Sequence, residues 1–166
     1  MEGTIHVPAR AKQCTDEDFA AAVMALEQNL YRLALSILHH PDLAEDAVAE
    51  TVYKAYAARH RLRQREKLKS WLFQILVNEC RTIQRKRKHE VSLAELPERP
   101  VQPETSLGLW ELVRRLPEGQ QSVIVLYYYE GYTTREIAGL LRLKESAVRT
   151  RMHRGRETLR QWMEDA

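Results

Sequence analysis

Apolar residues recur along this chain at helical spacing. Phe19, Val23, Leu26, Leu30, Leu33 and Ile37 advance in steps of four and three, which lines one face of a helix. Thr15 and Asp18 stand where a cap would start that helix, and Pro41 stops it. Asp42 with Glu45 reads as a second capping box, opening a helix with Val48, Val52, Ala55 and Tyr56 on its apolar face. From Arg59 to Lys67 the only apolar residue is Leu62, so a basic loop is expected. A third helix follows, with Leu68, Trp71, Leu72, Ile75, Leu76 and Ile83 inward. His89 to Thr105 holds Pro97, Pro100 and Pro103 without a helical period, as a linker does. Beyond it, Leu109, Leu112, Val113 and Leu116 open a second helical region. Pro117 suits the first turn of the next helix, which runs through Val123, Ile124, Leu126 and Tyr127 and ends at Gly131. Thr133 and Glu136 form a capping box for a short helix with Ile137, Leu140 and Leu141 inward. No segment alternates at period two over a strand's length. The expected fold is all-α, with two small helical domains at residues 15–88 and 106–166, a flexible linker at 89–105, and a tail without period at Met1 to Cys14.

Charge adds a substrate class. Tyr132 to Arg160 reads as two helices and a tight turn, the second helix carrying Arg149, Arg151, Arg154, Arg156 and Arg160 while Val148, Met152 and Leu159 face inward. That is the layout of a helix-turn-helix, whose second helix enters the DNA major groove. Early residues of such a helix reach base edges and flanking cations hold phosphates. Glu145, Ser146, Arg149 and Thr150 are therefore the candidates for bases, and Lys144, Arg151, Arg154 and Arg156 for phosphates. The whole chain carries only +3, but the charge is unevenly placed. Arg59 to Lys88 has eleven Arg or Lys against two Glu, a net of +9, and Arg142 to Arg160 has a net of +5. Trp71, Phe73, Asn78 and the run Arg85, Lys86, Arg87, Lys88 combine cations with aromatic and amide groups, which suits unstacked single-stranded bases. By contrast, Asp42, Glu45, Asp46 and Glu50 make an acidic helix that would repel DNA and suits a basic protein surface.

Other classes find no support. Cys14 and Cys80 make no disulfide framework, and Cys80 falls in an apolar pattern as a core residue. Six scattered His residues lack zinc spacing with the two Cys, so neither metal nor cofactor is expected. There is no Gly-rich phosphate loop and no nucleophile elbow, so an enzyme is not expected. No apolar run approaches the ~20 residues of a membrane helix, and the N-terminus lacks a secretory pattern. A cytoplasmic protein without membrane insertion is expected.

Four segments in order carry a resemblance: LYRLALSILHHPDLAEDAVAETVYKAY, KSWLFQILVNECRTIQRKRK, LVRRLPEGQQSVIVLYYYEGYTTREIAGLL and SAVRTRMHRGRETLR. Together they resemble a bacterial sigma factor of the extracytoplasmic-function group, in the sigma-70 family. The resemblance implies a three- or four-helix sigma-2 domain and a helix-turn-helix sigma-4 domain. It implies a promoter-specificity subunit of RNA polymerase, commonly governed by an anti-sigma factor and nucleoid-associated when bound to polymerase. On that resemblance Asp42, Glu45, Asp46 and Glu50 would dock the β′ subunit, with β a further polymerase contact. Arg61, Arg63, Lys69, Trp71, Asn78, Arg81, Arg85, Lys86, Arg87 and Lys88 would melt and read the −10 element of promoter DNA. Thr133, Lys144, Glu145, Ser146, Arg149, Thr150, Arg151, Arg154 and Arg156 would bind the −35 element. The linker would thread toward the active-site channel. The chain departs from the common pattern at Ala49, Val52, Thr82, Arg142 and Lys144; at Arg142 a Gly is common, and an Arg with φ > 0 costs about 1 kcal/mol more. The alternative is a helix-turn-helix regulator that binds operator DNA without polymerase.

Overall fold

The first helix starts where the sequence can satisfy its orphan amides. In this computed structural model, which describes residues 14–91 and 108–165, Thr15 Oγ1 accepts from the Asp18 amide at 3.1 Å. The Asp18 carboxylate accepts from the Thr15 amide at 3.2 Å. This reciprocal cap opens α1 (Asp16–Leu38), which ends at His39 in the left-handed conformation, φ 54°. Pro41 does more than stop α1. It lies in the first turn of α2 (Pro41–Ala58), where its missing N–H has no partner to lose. The expected box of Asp42 and Glu45 does not form, because His40 is the N-cap and no side chain caps the helix. Asp42 sits inside the first turn instead, where its charge favours the positive helix end.

α2 buries Ala44, Ala47, Thr51 and Ala55. Of the stripe expected there, Val48 and Val52 lie half-buried at the rim and Tyr56 is exposed. Small residues on the inner face let α2 approach α1 and α3 closely, which displaces the bulkier ones outward. Thr51 is tolerated inside because its hydroxyl donates to the Ala47 carbonyl at 2.7 Å. Tyr56 packs on Phe19 at 5.8 Å between ring centroids and lies 4.0 Å from the Arg59 guanidinium.

The basic stretch is not a plain loop. Arg59–Arg61 and Arg65–Lys67 each form one 3₁₀ turn, and buried Leu62 pins the chain between them. α3 (Leu68–Val91) then buries Leu68, Leu72, Phe73, Leu76, Val77 and Cys80. Phe73, grouped above with the nucleic-acid face, is fully buried core. α3 runs to Val91, so the first residues of the expected linker are helical. The rest of that linker, and the tail up to Gln13, lie outside the described residues.

The second unit is built from α4 (Leu109–Arg115), α5 (Gln120–Ile124), a π-turn at Val125–Tyr129, α6 (Thr134–Leu141) and α7 (Glu145–Glu164). Pro117 stands in the turn before α5 rather than within it, its carbonyl accepting from the Gln120 amide at 3.1 Å. Gly119 makes that turn possible at φ 83°. The π-turn shifts the helical register, and Tyr127 is 39% exposed beside Tyr128. Val113, Leu116, Val123, Ile124, Leu126, Ile137, Val148 and Met152 fill the core. α7 crosses α5 at Gly155, where an added Cβ would lie 3.0 Å from Ile124 Cγ1. The described residues are helices, turns and connections, with no strand among them.

Two outcomes follow. Gly155→Val should destabilise the protein by ~1–3 kcal/mol, read by urea denaturation, because a branched side chain cannot fit against α5. Burial pushes the Cys80 thiol up to about 12. Alkylation at pH 8 should therefore label Cys14 in the native protein and reach Cys80 only on unfolding.

Candidate nucleic-acid interface

α6 and α7 set the helix-turn-helix geometry. Thr133 Oγ1 accepts from the Glu136 amide at 3.2 Å, and the Glu136 carboxylate accepts from the Thr133 amide at 2.8 Å. The bond from that backbone amide holds the Glu136 carboxyl below its ordinary range. At the other end of α6, Arg142 adopts φ 52°, and the Leu143 amide closes the turn onto the Ala138 carbonyl at 2.9 Å. Lys144 is the N-cap of α7 and makes no side-chain cap, since an ammonium has no acceptor.

Ser146, Arg149, Thr150, Arg154 and Arg156 are exposed along α7. Arg149 is not loose. Its Nη2 donates to Glu145 Oε1 at 2.8 Å, and the same oxygen accepts from Thr134 Oγ1 at 2.9 Å. Glu145 thus ties the two helices together while orienting Arg149. Two residues grouped with this face do other work. Thr133 caps α6 through its hydroxyl. Arg151 turns inward, its Nη1 lying 3.1 Å from where a Cβ on Gly119 would stand.

On α3, Trp71, Gln74, Asn78, Thr82 and Arg85 recur at steps of three and four and share one side of the helix. Trp71 is half-buried against the core. Asn78 is exposed, and its Oδ1 accepts from Gln74 Nε2 at 3.4 Å. Arg85 Nη2 donates to Thr82 Oγ1 at 3.4 Å. Arg61, Arg63, Lys86, Arg87 and Lys88 are exposed around this strip.

Lys69 and Arg81 point elsewhere, toward the second unit. Lys69 Nζ lies 3.4 Å from Glu130 Oε2 and 3.3 Å from the Glu130 carbonyl. Arg81 Nη2 donates to the Leu141 carbonyl, while its Nη1 is buried without a hydrogen-bond partner. Burial first, then repulsion from Arg142 and Arg85, pulls the Arg81 guanidinium below its ordinary value. A cavity of about 340 Å³ lies here between the units, lined by Ser36, Arg81, Gln84, Glu118, Ser122 and Arg151 among others.

Glu130 was not among the sequence candidates. Its side chain is 0% exposed. Asn29 Nδ2 donates to its Oε2 at 2.8 Å, and Arg32 Nη1 lies 3.4 Å from its Oε1. Arg32 also faces the Tyr129 ring at 4.8 Å and the Trp110 ring at 5.5 Å. The sequence signal is a lone carboxylate in the apolar run Val123 to Tyr132.

On α2, Asp42, Glu45, Asp46, Ala49, Glu50 and Tyr53 form one exposed stripe. Lys54 offsets one end of it, 3.7 Å from Glu50 and 2.5 Å from Glu79. Among the described residues no ion pair involves Asp42, Glu45 or Asp46.

A helical protein with a cationic helix-turn-helix, a second cationic strip and a separate acidic stripe is a DNA-binding protein built for a further protein contact. The family model for sigma-70 region 2 matches residues 22–90, and that for sigma-70, region 4 matches 106–159. The ECF RNA polymerase sigma factor SigW of Bacillus subtilis is 30% identical over 178 residues, spanning 94% of each chain. A probable RNA polymerase sigma factor, RfaY of Xanthomonas campestris pv. campestris, is 28% identical over 177 residues; the match spans 96% of this chain but 44% of that longer protein. Among solved structures, the sigma factor RpoE in complex with the anti-sigma factor NepR from Bartonella quintana superposes with a TM-score of 0.73 at 26% identity, covering 89% of this chain and 98% of that one. The chain belongs to the sigma-70 family, in the extracytoplasmic-function group of RNA polymerase sigma factors. It is a promoter-recognition subunit, and the free-standing operator-binding alternative is not favoured.

Arg142 stands at a left-handed position and also repels Arg81. Arg142→Gly should therefore raise stability by about 1 kcal/mol in urea denaturation.

Proposed function

We propose that the two units divide promoter recognition between them. Residues 15–88 bind core polymerase and melt and read the −10 element, residues 106–166 read the −35 element as duplex, and residues 89–105 tether the two. The observation that carries this reading is the segregation of charge: an acidic stripe on α2 without cations of its own along most of its length, against exposed cationic faces on α3 and α7.

On this reading Asp42, Glu45, Asp46 and Glu50 dock a basic surface of the β′ subunit. Charge of this kind sets association rate and partner choice more than raw affinity. Trp71 and Asn78 take bases from the melted strand, while Arg61, Arg63, Arg85, Lys86, Arg87 and Lys88 follow its phosphates. Flipping a base costs a few kcal/mol, which a pocket and a polymerase-fixed position must offset. Arg149, held by Glu145, reads a base edge, with Ser146 and Thr150 beside it; Lys144, Arg154 and Arg156 hold phosphates. Polymerase raises the effective concentration of each unit at its own element, so each alone binds weakly. The likeness to RpoE, solved with NepR, supports an anti-sigma factor as regulator. Among the described residues no helix is long and apolar enough to cross a membrane. A cytoplasmic protein that reaches the nucleoid with polymerase fits this role, which assigns catalysis to the polymerase.

Run-off transcription with core polymerase on fragmented genomic DNA tests the whole reading: initiation should depend on this protein. No protein-dependent transcript at all would reject it. Charge reversal at Asp46 and Glu50 should weaken core binding at least tenfold and leave duplex binding unchanged. Arg149→Ala should reduce discrimination at one −35 position by ~1–3 kcal/mol; an equal loss on every sequence would reassign Arg149 to a phosphate.

A further inference from the structure

The cavity lined by Arg81 and Arg151 holds positive charge that the protein does not match. Arg81 reaches it from α3 and Arg151 from α7. Arg81 gives one nitrogen to the Leu141 carbonyl and keeps Nη1 buried without a partner. Among the described residues no carboxylate pairs with either guanidinium, and Arg142 and Arg85 add to the positive potential at Arg81. The one carboxylate of the described lining, Glu118, is exposed to solvent. The other polar groups divide in two. Ser36 donates to the Leu33 carbonyl at 2.7 Å and Gln84 to the Ile37 carbonyl at 3.1 Å, so both are already satisfied. The Ser122 hydroxyl has no hydrogen bond among the described residues. Arg81, Arg151 and Ser122 are therefore the donors left for a guest.

Those donors select an anion. Ile37, Val77, Leu141 and Leu143 complete the walls, and apolar walls focus the field of like charges and concentrate anions between them. A guanidinium fork takes two oxygens at once. One fork satisfies a carboxylate, whereas a phosphate offers oxygens enough for two forks and a hydroxyl. Gly119 makes room for this arrangement. At φ 83° it lies beneath Arg151, and a Cβ there would stand 3.1 Å from Nη1. The volume of about 340 Å³ falls at the low end of the range for small-molecule sites and is larger than a bare phosphate needs. A cube of that volume is ~7 Å on a side, less than the ~12 Å of a duplex major groove, so duplex DNA cannot enter.

We propose that this cavity is a binding site for a small phosphate-bearing molecule, whose phosphate oxygens take Arg81, Arg151 and the Ser122 hydroxyl. The apolar walls suit an organic part attached to that phosphate. Binding gives the buried edge of Arg81 the acceptor it lacks and displaces no hydrogen bond that the protein already makes. The site does not rest on the promoter reading, since neither arginine is assigned a DNA contact there. A ligand that binds only the folded chain also stabilises it, the more so the further its concentration exceeds Kd.

Calorimetric titration of the full chain with pyrophosphate, adenosine diphosphate and adenosine, at fixed ionic strength, tests the site. Both phosphates should saturate one site per chain and raise the thermal midpoint, and adenosine should do neither. Tighter binding of adenosine diphosphate than of pyrophosphate assigns the apolar walls to an organic part. Equal binding assigns the site to the inorganic anion, and either result supports it. Arg81→Gln and Arg151→Gln should each weaken pyrophosphate binding at least tenfold, as the loss of charge-assisted hydrogen bonds does. Glu118→Gln should strengthen it several-fold by removing a repelling charge. Arg135→Gln, which removes an exposed cation of α6 outside the cavity, should leave it unchanged. Circular dichroism checks the fold of each variant. Glu118 is exposed, so its variant keeps the test decisive even where an arginine variant fails to fold. No saturable binding of either phosphate would overturn the site. So would binding that survives both arginine substitutions, or that falls equally with Arg135→Gln, since these mark adventitious association with exposed cations.

Discussion

A carboxylate with no exposed surface must be held by donors, and Glu130 dictates much of what surrounds it. Burying an ionised group without partners is prohibitively unfavourable, so Asn29, Arg32 and Lys69 have to converge on one point from two helices. Removing one member of such a buried set typically costs 3–5 kcal/mol, far more than the set adds over a well-packed apolar contact. The Glu130 cluster is therefore better understood as specifying how the units meet than as a source of stability. The backbone around it follows. The π-turn ends at Tyr129, Gly131 takes φ 74°, and Tyr132 swings back to place its hydroxyl beside Ser70 and its ring 5.9 Å from Phe73.

The apolar cores answer to a different constraint. Within each unit, close approach decides which residues go inside. α2 turns Ala44, Ala47 and Ala55 inward and leaves its carboxylates outward, so the acidic stripe is a consequence of packing as much as of charge. At Gly155 the absence of a side chain lets α7 lie on Ile124, and this contact fixes which face of α7 is left exposed. Polar side chains then refine what packing leaves: Glu145 joins Thr134 to Arg149, giving a long cation on an exposed helix a defined direction.

Helix periodicity made the all-α fold legible before any coordinates, and the caps at Thr15 and Thr133 were readable from their reciprocal residues. Periodicity failed where steric detail intervened. It put Val48, Val52 and Tyr56 on the apolar face of α2, though alanines pack closer. Composition placed Phe73 with its basic neighbours, whereas its helix position buries it. The left-handed turn at Arg142 was readable because the pattern at that place normally asks for Gly. Glu130 was not readable, because its partners lie 61 to 101 residues away in sequence and no local pattern joins them.

Lys69, Arg81 and Arg151 show why charge alone assigns a surface incompletely. All three sit in basic segments, and all three meet protein rather than solvent-facing phosphate in this arrangement. Their energetic situations differ. Lys69 has a carboxylate partner and keeps 39% of its side chain exposed. Arg81 meets a neutral carbonyl with part of its guanidinium buried and other arginines nearby. A buried cation without a counter-ion is a poor resting state, and a phosphate would serve it better than the Leu141 carbonyl does. The contact between the units thus gives Arg81 an inferior partner while Glu130 has good ones.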